Sequence, residues 1–424
     1  MKSYRPRIAD TILQRKLEAK GAILIEGTKW CGKTTTAQQA SSSVLYLADI
    51  DTLKSNRLLS ETNPSQLLKG KTPRLIDEWQ TIPRLWDAIR FEVDQRGEVG
   101  QFILTGSAVP ANTQEIIHTG TGRFAWIKMR PMSLFESGES TGEVRLSALF
   151  SSPELIEGTN QLSFEDLAYL ICRGGWPGTL GLKKTAALDQ AFDYYDAVVH
   201  SDINRADNIS KNPERVKRLM RSFARNQGSQ TALAAFKRDL ATNDKESLKE
   251  DTISLYLSAL KLIFVIEDMP AWNPNLRSKT AIRTADTHYF ADPSIASASL
   301  GLGPKDLESD IHTFGFLFET MCIRDLRVYT DALSGDVYHY RDKTGLECDA
   351  VIHLRNGSYG LVEIKLGGDT LIEEAAKSLT SLRKKIDTDK MKEPAFMMIV
   401  TGVGQYAYRR PDGIYVVPIG CLGP

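Results

Sequence analysis

Residues 27–34 read GTKWCGKT and match the spacing GxxxxGK[ST] at every fixed position. The chemistry such a loop serves is the gripping of a polyphosphate. Gly27 and Gly32 let the backbone curl so that successive N–H groups, those of Thr28, Lys29, Trp30 and Cys31 among them, turn toward phosphate oxygens. Lys33 would reach the β- and γ-phosphates, and the Thr34 hydroxyl would ligate Mg²⁺. Thr35 follows in the helix whose positive end faces the ligand. ATP and Mg²⁺ are the expected cofactors. A second group, Pro73-Arg74-Leu75-Ile76-Asp77-Glu78, is a short apolar run ending in two acids. Asp77 is expected to hold Mg²⁺ through water and Glu78 to polarise the attacking water, help worth ~10²–10⁴ in rate. A third run, Gln101 to Ser107, ends in hydroxyls, so Ser107 or Thr105 is placed to sense the γ-phosphate. Arg123, in TGTGRF, is a candidate arginine finger; acting on a neighbouring subunit, it would require a homo-oligomer.

Another set lies far down the chain. Asp349 stands in LECDAVI, and Glu363 and Lys365 stand in VEIK. On a strand, residues i and i+2 share a face, so Glu363 and Lys365 point the same way. An Asp, then Glu-x-Lys on the adjacent strand, resembles the PD-(D/E)xK nuclease core. Asp349 and Glu363 are then expected to bind Mg²⁺ and Lys365 to orient or activate water. Glu319, an acid in the otherwise apolar helix FGFLFETMCIRDL, would complete the metal shell. The geometry carries a condition. A two-residue turn at Asn356-Gly357 would set Asp349 opposite Ile364 and turn it away from Glu363. A three- or five-residue loop, or a bulge near Asp349, restores the shared face.

These groups need elements to hold them. Ala22–Glu26, Val44–Ala48, Arg74–Ile76, Gln101–Thr105 and Phe124–Lys128 read as short strands, with helical spacing between them, as in Trp86, Ile89 and Val93. That alternation predicts an α/β domain with a parallel sheet covered on both faces. From about residue 160 to 290 the pattern turns helical. Asn212-Pro213 opens one helix, Thr231–Leu240 is a second, and a third runs from about Lys249 to Phe264. An extended V-I-E-D-M-P segment follows, completing the pattern of a winged helix-turn-helix. Gly301–Pro304 reads as a linker. Beyond it, a helix (His312–Leu326), a strand pair around Asn356-Gly357, a helix (Leu371–Ile386) and strands Phe396–Thr401 and Ile414–Pro418 define a third, α/β domain. The expected division is 1–140, 141–300 and 301–424.

Lys plus Arg equals Asp plus Glu, 53 each, so no overall charge draws the chain to nucleic acid or membrane. A local patch stands out. Lys211, Arg215, Lys217, Arg218, Arg221, Arg225, Lys237 and Arg238 are set against one acid, Glu214. Residues 211–238 are thus a candidate DNA contact, weakly sequence-dependent and strongly salt-dependent. The next stretch, 239–251, holds five acids against two lysines. The five cysteines are odd in number and scattered, as expected of reduced thiols in a cytoplasm. No membrane contact is expected, because even the apolar stretch LSALKLIFVIEDM carries Lys261 and Glu267.

The motif order GTKWCGKTT, LIDEWQ, FILTGSA, TGR and, at 173–178, RGGWPG resembles the bacterial and archaeal AAA+-like ATPases that carry an uncharacterised C-terminal region. The likeness spans nearly the whole chain. It implies an ATPase core with the Asp77 strand inside the sheet, then a helical winged-helix region, then a restriction-endonuclease-like α/β domain. Members of that group commonly carry Arg at the position of Lys29, so this chain keeps the charge without the guanidinium fork. Arg173 is a candidate second sensor. The expected function is ATP binding and hydrolysis coupled to Mg²⁺-dependent cleavage or handling of DNA. The rival expectation is a nucleotide-dependent signalling switch. In it the C-terminal domain binds protein, and Glu319, Asp349, Glu363 and Lys365 are remnants.

Overall fold

The computed structural model describes residues 4–108, 116–151, 156–207, 209–241, 249–274, 284–389 and 391–424. The apolar runs of the N-terminal part form five parallel strands: β1 (Ala22–Glu26), β2 (Ser43–Tyr46), β3 (Arg74–Asp77), β4 (Phe102–Gly106) and β5 (Phe124–Lys128). Their order is β2-β3-β4-β1-β5, so β4 lies between the strand that leads into the glycine loop and the strand that ends in Asp77. Side-chain alternation explains the double cover. Along β1, Ala22 and Leu24 enter one core with Trp79, Trp86 and Phe102. Ile23 and Ile25 enter another with Leu13, Ala37 and Ile103. Helices α1 (Ile8–Leu17) and α2 (Lys33–Ala40) supply the cover on that second face.

The middle region is helical. It includes α3 (Phe164–Arg173), which the reciprocal Ser163–Asp166 pair caps and which buries Leu167, Leu170 and Ile171. Further on lie α4 (Pro213–Asn226), α5 (Leu233–Ala241) and α6 (Glu250–Leu262). Antiparallel bridges pair Ser229 with His288, Ile266 with Phe290 and Met269 with Thr287, so the stretches after α4 and α6 meet beside these helices. Part of the acidic run, residues 242–248, lies outside the described residues. Next come α7 (Pro293–Leu300) and α8 (Ile311–Ala332). The expected linker at Gly301–Pro304 is instead a tight turn: Gly301 sits at φ 73° and a short helix, Pro304–Ser309, begins at once.

The second large sheet has the order β7-β12-β13-β11-β10-β9-β8. Strand β6 (Val144–Arg145) lies outside this sheet, whose members are β7 (Gly158–Thr159), β8 (Gly335–Arg341), β9 (Glu347–Leu354), β10 (Tyr359–Lys365), β11 (Phe396–Thr401), β12 (Tyr406–Arg409) and β13 (Tyr415–Pro418). Strands β8, β9 and β10 run antiparallel as two hairpins, and β10, β11 and β13 run parallel. Helix α9 (Asp369–Lys385) joins β10 to β11.

Packing crosses the borders drawn from the sequence. Residues just past 140 belong with the far C-terminus: Val144 pairs with Leu422, Thr159 with Tyr406, and the Ser140 hydroxyl donates to the Leu422 carbonyl at 2.7 Å. The largest apolar core likewise runs through Phe223 of α4, Ile295 of α7, Phe318 of α8 and Val362 of β10 without a break at 301. Short polar loops signalled borders, but side chains distant in sequence fill a common core across them.

Candidate active site

The glycine loop curls because it must. Gly27 has φ 151°, and a Cβ there would sit 1.9 Å from the Met129 carbonyl oxygen; Gly32 has φ 101°. Lys33 opens α2 and is buried, its ammonium donating to the loop's own carbonyls at Gly27 (2.9 Å) and Thr28 (2.7 Å). The Thr28 hydroxyl is buried and has no partner among the described residues, a polar atom the loop leaves for something else to satisfy. Arg7, which the sequence did not single out, braces the loop from below. Its guanidinium donates to the Cys31 carbonyl at 2.6 Å and the Arg130 carbonyl at 2.8 Å, and pairs with Glu136 at 3.0 Å. Lys29 pairs with Asp202 at 2.5 Å. Trp30 projects into water beside the cleft.

The two acids behave differently. Asp77 is buried, and one of its oxygens accepts from Thr34 Oγ1 (2.7 Å) and from Thr105 Oγ1 (2.6 Å). Glu78 takes a left-handed backbone, φ 55°, which turns it out of the strand. Its carboxylate accepts from the Ser107 hydroxyl at 2.9 Å and from the Gln80 amide. Lys33, Thr34, Thr35, Glu78, Ser107 and Trp176 line a cleft of about 670 Å³. These groups fit a nucleoside triphosphate with Mg²⁺: loop amides and Lys33 for phosphate, hydroxyl and carboxylate oxygens of Thr34 and Asp77 for a hard cation.

The RGGWPG stretch forms the opposite wall. Gly175 fits because a Cβ would meet the Met132 carbonyl at 2.1 Å. Its N–H donates to Asp292 at 3.0 Å, and the Trp176 ring N–H donates to Ser294 at 2.9 Å. Asp292 in turn pairs with Arg324 of α8 at 2.8 Å. At the end of β5, Arg130 pairs with Glu267 (2.7 Å) and with Asp331 of α8 (2.6 Å). Thus the cleft is tied to α8 at two points. Two expected arginines lie elsewhere. Arg173 is buried on Glu139 at 2.5 Å. Arg123 precedes β5, at the end of the strands opposite the glycine loop, and pairs with Asp94 at 2.7 Å; it does not face the nucleotide loop of its own chain.

An AAA domain profile matches residues 19–137. The chain carries a P-loop ATPase domain. Two further profiles follow it, a domain of unknown function (DUF8612) over residues 164–306 and a domain of unknown function (DUF4143) over residues 314–422. No curated protein matches. Solved structures similar to the chain include a Walker-type ATPase of Pyrococcus abyssi, 14% identical over 70% of this chain and 99% of that one, with a TM-score of 0.42. A Signal Transduction ATPase with Numerous Domains protein with a tetratricopeptide repeat sensor, from Pyrococcus horikoshii, is 13% identical over 78% of this chain and 48% of that one, TM-score 0.26. The Hef helicase domain of Pyrococcus furiosus is 12% identical over 94% and 86%, TM-score 0.21. Among the described residues, no helix is long and apolar enough to cross a membrane.

The C-terminal cluster meets its geometric condition. Leu354 N–H donates to the Ser358 carbonyl at 2.8 Å and Gly357 takes φ 84°, leaving a three-residue loop, Arg355 to Gly357. The register runs from His353 opposite Tyr359 to Ala350 opposite Val362, so the next pair is Asp349 opposite Glu363, on one face. Lys365 bridges them, 3.0 Å from Asp349 and 2.7 Å from Glu363. Glu319, on α8, accepts from the Tyr289 hydroxyl at 2.6 Å. Burial pushes Glu319 and Glu363 up to about 8, helped by the charge of Asp349. Burial opposes the charge of Lys365, but the two carboxylates outweigh it and hold its pKa above the ordinary lysine range.

This cluster is partly covered: Glu363 is buried, while 19% of the Asp349 side chain and 26% of the Lys365 side chain meet water. The space above Asp349 and Glu319 is about 40 Å³, walled by Gly228, Ser229 and Tyr289 of the middle region. A Cβ at Gly228 would stand 3.0 Å from the Glu319 carboxylate. Among the described residues no three His, Cys, Asp or Glu side chains are placed to hold a metal ion. Glu319, Asp349 and Glu363 are thus not gathered as a three-carboxylate set, and Lys365 stands between two of them.

Proposed function

We propose that the chain is an ATP-driven switch whose C-terminal domain is a covered, nuclease-like module rather than a working nuclease. In the ATPase cleft, Lys33 would exchange the Gly27 and Thr28 carbonyls for phosphate oxygens, Thr34 and Asp77 would hold Mg²⁺, and Glu78 would accept a proton from the attacking water. When bound, Mg²⁺ supplies charge neutralisation at the phosphates. Ser107 fixes the Glu78 carboxylate from the neighbouring strand. The tie from Gly175 through Asp292 to Arg324 gives nucleotide-dependent movement a path to α8, the helix that carries Glu319.

The covering of the C-terminal cluster supports the second half of this reading: Tyr289 on Glu319, Gly228 against the same carboxylate, and Lys365 between Asp349 and Glu363. The order of α8, the β8–β9–β10 hairpins, α9 and β11 supports a restriction-endonuclease-like fold. Helices α4 to α6 with their bridged strands support a winged helix. The shared face of Asp349, Glu363 and Lys365 favours a second reading, Mg²⁺-dependent DNA cleavage, which requires the middle region to lift away. Supercoiled plasmid incubated with the protein, Mg²⁺ and ATP, ADP or no nucleotide decides between them. No nicking in any state is expected; nicking that Lys365→Ala abolishes would overturn the switch reading.

The partner surface is smaller than the charge count implied. Lys211 is buried and donates to Asp207 at 2.5 Å, and Lys217 and Lys237 pair with Glu214 and Glu250. Arg221 and Arg225 are exposed one turn apart on α4. That pair supports weak, salt-sensitive phosphate contacts.

A further inference from the structure

Gln80 stands two residues beyond Glu78, on the single turn Trp79–Thr81 that the left-handed Glu78 backbone starts. Its amide nitrogen donates to Glu78 Oε2 and lies 3.5 Å from the Ser107 hydroxyl, which donates to the same carboxylate oxygen at 2.9 Å. One carboxylate oxygen is thus held from two sides. Turned over, the amide would set its oxygen against the carboxylate, two acceptors facing each other, so the nitrogen belongs on the Glu78 side. With the amide as it stands, its oxygen is buried and has no partner among the described residues.

A second observation comes from a different strand. Gly106 ends β4 without a left-handed backbone, so conformational freedom does not explain the glycine. Space does. A Cβ there would stand 2.9 Å from the Trp79 ring nitrogen and 3.1 Å from the Gln80 amide oxygen. Gly106 therefore leaves room first for the Trp79 ring and second for this amide, beside the Ser107 that holds Glu78.

We propose that Gln80 is a positioning residue for ATP hydrolysis. It holds Glu78 Oε2, together with Ser107, so that Oε1 is presented to the attacking water. This rests on the assignment of Glu78 as the group that accepts the water's proton. A carboxylate that swings freely spends most of its time out of line, and misplacement near 1 Å costs ~10²-fold in rate. Loss of the amide donor should therefore lower kcat and leave ATP affinity alone, because Gln80 has no place among the groups that grip phosphate.

The test uses the full chain, with phosphate release for turnover and fluorescent ATP-analogue titration for affinity. Gln80→Ala and Gln80→Glu are each expected to lower kcat about 10- to 100-fold, with affinity within about twofold of the parent. Gln80→Glu keeps the side chain's size but replaces the donor by a repelling oxygen, so a merely space-filling role would leave it active. Adding Gln80→Ala to Glu78→Gln should cost nothing further, since the residue being positioned is already disabled. Turnover by Gln80→Glu near the parent's, equal losses of kcat and affinity, or a further drop in the double variant would each overturn the proposal. If Glu78→Gln alone turned ATP over like the parent, the assignment of Glu78 would fail instead.

Discussion

At the end of β3, Glu78 borders a cleft of about 670 Å³ and follows the buried Asp77; on β9, Asp349 lies beside a cavity of about 40 Å³, next to Glu363 of β10. Each pair of acids has a lysine nearby, and the lysines differ in what they hold. Lys33 rests on two carbonyls of its own loop, neutral partners that phosphate can replace at small cost. Lys365 rests between two carboxylates and cannot leave without stranding buried charge. Residue type and spacing select a chemistry. Access, and the partner already in place, decide which of the two sites can run it.

The contrast can be broken at its strongest point first. Glu78→Gln should slow steady-state ATP turnover ~10²–10⁴-fold while the analogue still binds; undiminished phosphate release would erase the distinction between an open, working site and a covered one. Lys365→Ala should leave turnover intact and destabilise the fold near pH 8.5 by about 2 kcal/mol. That is below the ~3–5 kcal/mol of a fully buried pair, because 26% of the Lys365 side chain meets water. Urea melts measure it, and an unchanged midpoint would show that Asp349 and Glu363 need no counter-charge.

The seam that covers the second site should be sensitive to acid. His339 lies in it, its ring between the Gln230 amide and the Ala285 carbonyl, and Arg341 adds positive charge nearby. Burial pushes His339 down to about 4 from 6.5. The unfolded chain takes up that proton near pH 6.5 and the folded chain only near 4, so stability falls as pH drops through this window. Relative to His339→Gln, the parent's urea midpoint should decline between pH 6.5 and 4; parallel curves would remove His339 from the seam's chemistry. The smallest effect is expected at Arg123, already held by Asp94 at the far end of the strands. Arg123→Ala should change turnover less than about twofold; loss that grows with protein concentration would restore a role on a neighbouring subunit.

How much of this was legible in the sequence depended on how local its causes are. The glycine loop was, because GxxxxGK[ST] spacing reports backbone geometry, and β1 and β5 have their predicted bounds because each is a short run bounded by turns. Helix α8 extends six residues past the predicted Leu326, since Arg327, Tyr329 and Thr330 are buried by tertiary contacts rather than by an apolar stripe. Strand β8 was missed for the same reason: Leu333 and Ser334 alone separate it from that helix. Arg7, Asp202 and Tyr289 carry no motif. Their partners Glu136, Lys29 and Glu319 lie far away in sequence, so only the folded chain shows what they do. The seal over Asp349 and Glu363 was invisible on the same ground, and the spacing of those residues alone pointed toward an open metal site.

The most direct measurement is a paired titration and turnover assay on the parent and Lys33→Ala. Affinity for a fluorescent ATP analogue should fall at least ~10-fold, equivalent to about 1.4 kcal/mol of lost phosphate contact, and phosphate release should fall to background. A Lys33→Ala protein that holds the nucleotide as tightly as the parent and hydrolyses it as fast would contradict an ATP site built on this loop.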